Sequence, residues 1–113
     1  MASEENDTMS LPAQQVKLIL TYDPPFEERE EYVQFVLGRF LPTLEYMGLK
    51  LCDSWHTAYG SYPLRLTGFL ASDPETLETV LLSETFIELE GTLKGLVNNY
   101  RRKIVPVRTP FPY

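Results

Sequence analysis

His56 is the only histidine in a chain of 113 residues, and near neutral pH imidazole is the one side chain that titrates unperturbed. It is therefore the first candidate for a general acid or base, with Asp53 or Tyr59 on the same run, or Arg65 on the next, as the group that would orient it. The competing reading is a strand histidine with one backbone partner. Aromatic residues gather around it: Trp55, Tyr59, Tyr62 and Phe69, joined by Tyr22 from an earlier run. Rings with a polar tip suit a pocket that holds a flat, mostly apolar ligand, and equally suit a core or an interface. The candidate site is therefore His56 as the catalytic residue, with Tyr22, Trp55, Tyr59 and Arg65 binding a ligand.

The rest of the chemistry-bearing inventory is thin. Cys52 is the only cysteine and has Leu51 and Asp53 as neighbours, so nothing electropositive lowers its pKa. A lone cysteine excludes an intramolecular disulfide framework and suits a reducing compartment. His56 and Cys52 do not make a metal-ligand set, and no metal site is predicted. Glycine-rich phosphate loops, nucleophile elbows and paired carboxylates at catalytic spacing are not readable, so no cofactor is expected. Arg101, Arg102, Lys103 and Arg108 crowd the C-terminal end. Their simplest reading is helix-dipole matching and solvated surface, set against a role in binding anions.

A formal net charge of −6 argues against a nucleic-acid binder, which needs a basic face for phosphates. Met1 to Gln15 is acidic and polar without the apolar centre of a signal peptide, and no apolar run is long enough for a membrane span. The expectation is a cytoplasmic protein with neither nucleic acid nor membrane as partner.

The elements that must hold these residues follow from patterning. Val16 to Tyr22 is rich in apolar residues and reads as a central strand, and Leu64 to Ala71 falls in another strand that begins at Tyr62. An Asp-Pro pair follows each, Asp23-Pro24 and Asp73-Pro74. Asp is a favoured N-cap and Pro fits the first helical turn, so each pair is predicted to open a helix. In the first helix Val33, Leu37, Phe40, Leu44 and Met47 recur at threes and fours, widened by Tyr32, Phe35 and Val36. Pro42 should break or kink it and Gly48 should end it. Residues 50 to 59 form a strand with Leu51, Asp53, Trp55, Thr57 and Tyr59 on one face and Cys52, Ser54, His56 and Ala58 on the other. Gly60-Ser61 suits a hairpin turn, and Gly68 marks a bulge or a close approach.

The second helical stretch carries Leu77, Val80 and Leu81, breaks in the region of Ser83 to Thr85, and restarts on a capping box of Thr85 with Glu88. Phe86, Leu89, Leu93, Leu96 and Tyr100 would share its buried face, with Gly91 and Gly95 beside them for close helix packing. Lys103 to Val107 is the last short strand. The order is β-α-β-β-α-β, an α+β ferredoxin-like arrangement: a four-stranded antiparallel sheet with both helical segments on one face. Residues 1–14 read as a flexible acidic tail, 15–108 as the domain and 109–113 as an extended Pro-rich tail.

That order, the run Trp55-His56-Thr57-Ala58-Tyr59-Gly60 and the broken second helix resemble the dimeric α/β-barrel superfamily. The antibiotic-biosynthesis-monooxygenase-like and NIPSNAP-like families are the most similar, over about residues 15 to 108. The resemblance implies a homodimer packed through the sheet face and a ligand pocket between sheet and helices. Such proteins range from cofactor-free oxygenases and isomerases through haem-degrading enzymes to proteins of no known activity. No catalytic set maps onto this chain residue by residue, so no activity is carried over. The chain is read as a small homodimeric protein that binds or transforms a small, largely apolar molecule; any catalysis would be oxygenase- or isomerase-like and cofactor-free. The alternative is an interaction domain with no small-molecule site, whose segment Arg108 to Tyr113 docks elsewhere as a strand or polyproline ligand.

Overall fold

Val16, Leu18, Leu20 and Tyr22 are buried while the residues between them are half-covered, the period of two that makes β1 (Val16–Asp23). The computed structural model describes residues 14–56 and 65–107, with the backbone alone at Trp55 and His56. Three more strands complete one antiparallel sheet: β2 (Lys50–His56), β3 (Arg65–Ala71) and β4 (Asn98–Pro106), in the order β2-β3-β1-β4. This is the ferredoxin-like arrangement. The helical segments cover the face that carries Val16, Leu18, Leu20, Tyr22 and Phe69, and the core lies there. Among the described residues no helix is long and apolar enough to cross a membrane.

The two Asp-Pro pairs behave differently. Asp73 caps α3 (Pro74–Leu82) as predicted, its carboxylate accepting the Thr76 N–H at 2.7 Å. Asp23 caps nothing. It ends β1, accepts a hydrogen bond from Asn99 Nδ2 at 2.6 Å, and leaves α1 (Arg29–Phe35) to start after Glu28, whose side chain makes no cap bond. The reason is Pro25. A residue before proline is pushed out of the α region, so Pro24 cannot begin a helix, whereas Pro74 is followed by Glu75 and can.

Pro42 has the predicted effect, by a particular route. A π-helical turn (Val36–Phe40) joins α1 to α2 (Leu41–Tyr46), which absorbs the N–H that Pro42 lacks. The turn also shifts the apolar stripe from its predicted phase. Tyr32, Phe35, Val36, Phe40 and Leu44 are buried, while Val33 and Leu37 of the expected stripe are exposed. Gly48 ends α2 at φ 106°, a left-handed value suited to glycine, with Gly48 N–H on Glu45 C=O at 3.0 Å and Leu49 N–H on Leu44 C=O at 2.9 Å.

In the second half, the break falls where expected but its cap is Ser83, not Thr85. The Ser83 hydroxyl accepts the Phe86 N–H and starts α4 (Glu84–Leu96). Phe86, Leu89 and Leu93 are buried along it. Tyr100 is not helical: β4 begins at Asn98, earlier than the predicted Lys103, and Asn99 takes φ 57° where the β1–β4 register shifts. Asn tolerates that left-handed value better than most residues. Consequently Arg101, Arg102 and Lys103 lie on a strand, and helix-dipole matching cannot explain them. Gly91 and Gly95 are not at a close helix contact either, since a side chain built on either would meet nothing.

On β2 the predicted alternation fails at one point. Leu51 pairs with Phe69 and Asp53 with Gly68, leaving Cys52 as an extra residue, so Leu51 lies on the opposite face from Asp53. Gly68 allows this: a Cβ there would stand 2.9 Å from Asp53 Oδ2. Thr57, Tyr59, the predicted Gly60-Ser61 turn, Tyr62 and, apart from Gln14, both predicted tails lie outside the described residues.

Candidate functional site

Tyr22 and Arg65 are backbone partners across β1 and β3, and His56 pairs with Arg65 across β2 and β3. Both pairings belong to the row at one end of the sheet, beside the π-helical turn. Arg65 donates from Nη2 to Ser54 Oγ at 2.7 Å. The Tyr22 hydroxyl meets that of Tyr32, from α1, at 2.8 Å, with the two rings edge to face at 6.0 Å between centroids. Burial pushes the Tyr22 hydroxyl well above its ordinary pKa, and its bond to Tyr32 adds to the shift. At physiological pH it is a neutral hydrogen-bonding group, not a base.

These side chains border two neighbouring hollows between the sheet and the first helical segment, which share Val36 and Arg65 and together form the cleft. The larger part has a volume of about 210 Å³ and is walled by Pro24, Arg29, Tyr32, Val33, Leu37 and Arg65. The smaller, a recess of about 10 Å³, lies among Tyr22, Phe40, Ser54, Arg65 and Thr67, room for about one water molecule. Val36, the first residue of the π-helical turn, borders both parts. Such turns are rare and recur at functional sites. Apart from the tyrosines, Thr67 is the one polar residue among the buried described residues, and it lines the recess.

The structure thus brings Tyr22 and Arg65 together and places the His56 backbone beside them. Trp55 takes the opposite face of β2 from His56, as the strand alternation predicts. Trp55 pairs with Leu66, a register position on the open face of the sheet, and Tyr59 lies outside the described residues. Asp53 is not available to His56, because it is held by Lys17 on the open face at 2.8 Å. That contact raises the Lys17 pKa and holds the Asp53 carboxyl below the usual range. Burial and the adjacent carboxylate push the Cys52 thiol up, in keeping with its reading as unreactive. No group of three or more metal-ligating side chains occurs among the described residues.

Three cleft residues were missed by sequence reasoning: Tyr32, Ser54 and Thr67. In the sequence Tyr32 stands only as a residue that widens the apolar stripe. The signal that could have found it is the stripe itself, which fits Tyr32 and Val36 as well as Val33 and Leu37, and a helix cannot bury both sets without a change of phase.

No protein-family model matches the chain, and no curated protein matches it in sequence. Solved structures do match in fold. A NIPSNAP family protein from Agrobacterium tumefaciens superposes with a TM-score of 0.63 at 13% identity, over 86% of this chain and 95% of that one. A variant of SnoaB, a cofactor-independent oxygenase from Streptomyces nogalater, gives 0.67 at 11% over 89% and 100%. A hydroxynitrile lyase from Passiflora edulis gives 0.68 at 10%, again over 89% and 100%. The chain shares its ferredoxin-like fold with these structures, NIPSNAP family proteins among them, as the sequence resemblance implied.

Proposed function

We propose that this chain binds a small, largely apolar molecule in the cleft between the sheet and the first helical segment, and acts as a homodimer packed through the open sheet face. The observation that carries the binding reading is the convergence of Tyr22, Tyr32 and Arg65 on neighbouring hollows whose rim carries the apolar Val33 and Leu37 beside Arg29. Val33 and Leu37 are exposed at that rim, where they would be covered by a ligand. The larger hollow's volume of about 210 Å³ lies below the ~300 Å³ at which drug-sized sites begin, so the ligand is small. Arg65 and the tyrosine pair would fix one oxygen of that ligand, while the apolar wall takes its body. The fold is shared with a cofactor-independent oxygenase and a hydroxynitrile lyase, which supports a small-molecule role without specifying the reaction. Should the protein catalyse a proton transfer, His56 is the residue assigned to it, opposite Arg65 in the strand register.

The test is a titration with phenol, benzaldehyde and benzoate followed by amide chemical shifts. Saturable shifts at Tyr22, Tyr32 and Val36, weakened about tenfold or more in Arg65→Ala, are the expected result. A comparison with His56→Ala separates binding from proton transfer: unchanged affinity in that variant makes His56 no part of the binding site. If no probe moves the cleft resonances, the alternative of an interaction domain without a small-molecule site replaces this reading. Light scattering at micromolar concentration tests assembly, and a monomer there overturns the dimer.

A further inference from the structure

The open face of the sheet holds a second hollow, larger than the cleft and of opposite character. Its volume is about 460 Å³, within the range of ligand sites, and it is lined by Ile19, Thr21, Leu66, Arg101, Arg102 and Lys103. We infer that this hollow binds a small organic anion with an apolar body, its charged group held by Arg101 and Lys103.

The register explains the composition. Thr21 pairs with Leu66 on one side and Arg101 on the other, and Ile19 with Gly68 and Lys103, so two adjacent rows of the sheet put apolar side chains beside cations. The intervening Arg102 is committed to the other face, where its guanidinium meets Glu90 at 3.2 Å and lies over the Phe86 ring. Arg101 and Lys103 are exposed, and among the described residues neither takes part in an ion pair.

Two carboxylates share this face. Asp53 is taken up by Lys17, and Asp23 accepts from Asn99. Lys50 adds a further positive charge on the same face, paired along the backbone with Leu70.

The wider charge distribution points the same way. The chain carries a net charge of −6, yet Glu28, Glu30, Glu31, Glu75, Glu78, Glu84 and Glu88 are exposed on or beside the helices. The helical layer is therefore negative and the sheet face positive. An incoming anion is steered toward the sheet. In the proposed dimer two such faces would meet, and a bound anion would supply the opposite charge that two like faces lack.

Fluorescence titration with 1-anilinonaphthalene-8-sulfonate tests the site, with neutral N-phenyl-1-naphthylamine as control. We expect saturable binding of the sulfonate, weaker by about tenfold or more in R101Q/K103Q and at high ionic strength. The neutral analogue should not distinguish the variant. Equal affinity for wild type and variant overturns the inference. So does loss of sulfonate binding in Arg65→Ala, which would put the probe in the cleft. Melting curves check that the variant folds; if R101Q/K103Q melts early, R101Q alone is used and must weaken binding in the same direction.

Sedimentation in the same samples separates this site from the assembly reading. Sulfonate binding to a monomer retains the anion site and removes the dimer. A dimer that ignores the sulfonate removes the anion site and retains the dimer.

Discussion

The fold is two strand–helix–strand halves, and they solve the same problem with different care. In the second half each helix has a side-chain cap: Asp73 on Thr76 N–H and Ser83 on Phe86 N–H. The helical break between them is a clean restart, and Phe86, Leu89 and Leu93 are buried in phase. In the first half the helix starts without a side-chain cap, after Glu28 at φ 56°, and passes through a π-helical turn. Local signals and global packing agree in one half and conflict in the other. The cleft lies in the conflicting half. Violations of local rules concentrate where a site is built, and in this chain they fall beside the cleft.

The largest test of the contrast is to remove one leucine from each half. Leu93 is 1% exposed and Leu37 is 63% exposed. Leu93→Ala should cost about 2–5 kcal/mol in chemical denaturation, the range for deleting a buried leucine. Leu37→Ala should stay within about 0.5 kcal/mol, as surface substitutions do. A large loss in Leu37→Ala would mean that something covers this residue, and would move the mouth of the cleft into a core or an interface.

The cap comparison is next in size. Ser83→Ala should lose about 0.5–2 kcal/mol, because the Phe86 N–H has no other partner in the first turn. Glu28→Gly should do the reverse and gain up to about 1 kcal/mol, since glycine adopts a positive φ without the steric cost borne by a side chain. Gly91→Ala belongs to the same pair of measurements. Nothing lies near its Cβ position, so alanine should gain about 0.5–1 kcal/mol from helix propensity. A loss instead would show that a partner packs closely on α4, and would restore the close-packing reading by way of a second chain.

The order of strands and helices was legible in the sequence because period-two and helical patterns are long-range averages that survive local error. β1, the four-stranded antiparallel sheet and the burial of Leu93 follow from them. The misplaced details have local causes. Cys52 is an extra residue that a strict alternation cannot foresee, and it turns Leu51 away from Asp53. Tyr100 continues the helical spacing of Leu93 and Leu96 by coincidence, because Val97 leaves the helix and Asn99 turns the chain into β4. Of the candidate site, Tyr22 and Arg65 were legible as residue types on adjacent strands. Tyr32 was not, since the phase change at the π-helical turn decides which part of the stripe is buried, and Ser54 and Thr67 are regular strand positions whose residue types carry no signal of a site.

The smallest effect separates the two Asp-Pro pairs, which look alike in sequence. The Thr76 N–H, accepted by its carboxylate, holds the Asp73 pKa below its ordinary value. A carboxyl with a depressed folded-state pKa contributes stability that is fully present above its unfolded value, near ~4, and is lost as pH falls through the lower folded value. Asp73→Asn keeps a good N-cap but removes the titration. The difference in denaturation midpoint between wild type and Asp73→Asn should therefore be constant at neutral pH and shift against wild type as the solution is acidified through that window. Asp73→Ala should lower the midpoint at neutral pH by more than Asp23→Ala does, because only Asp73 holds a helical N–H; Asp23 holds the side chain of Asn99. Equal losses would mean that the bond between Asp23 and Asn99 stabilises the β1–β4 bulge as strongly as a cap stabilises a helix. The first half would then be as firmly built as the second, and its irregular helix could no longer be read as the mark of a site.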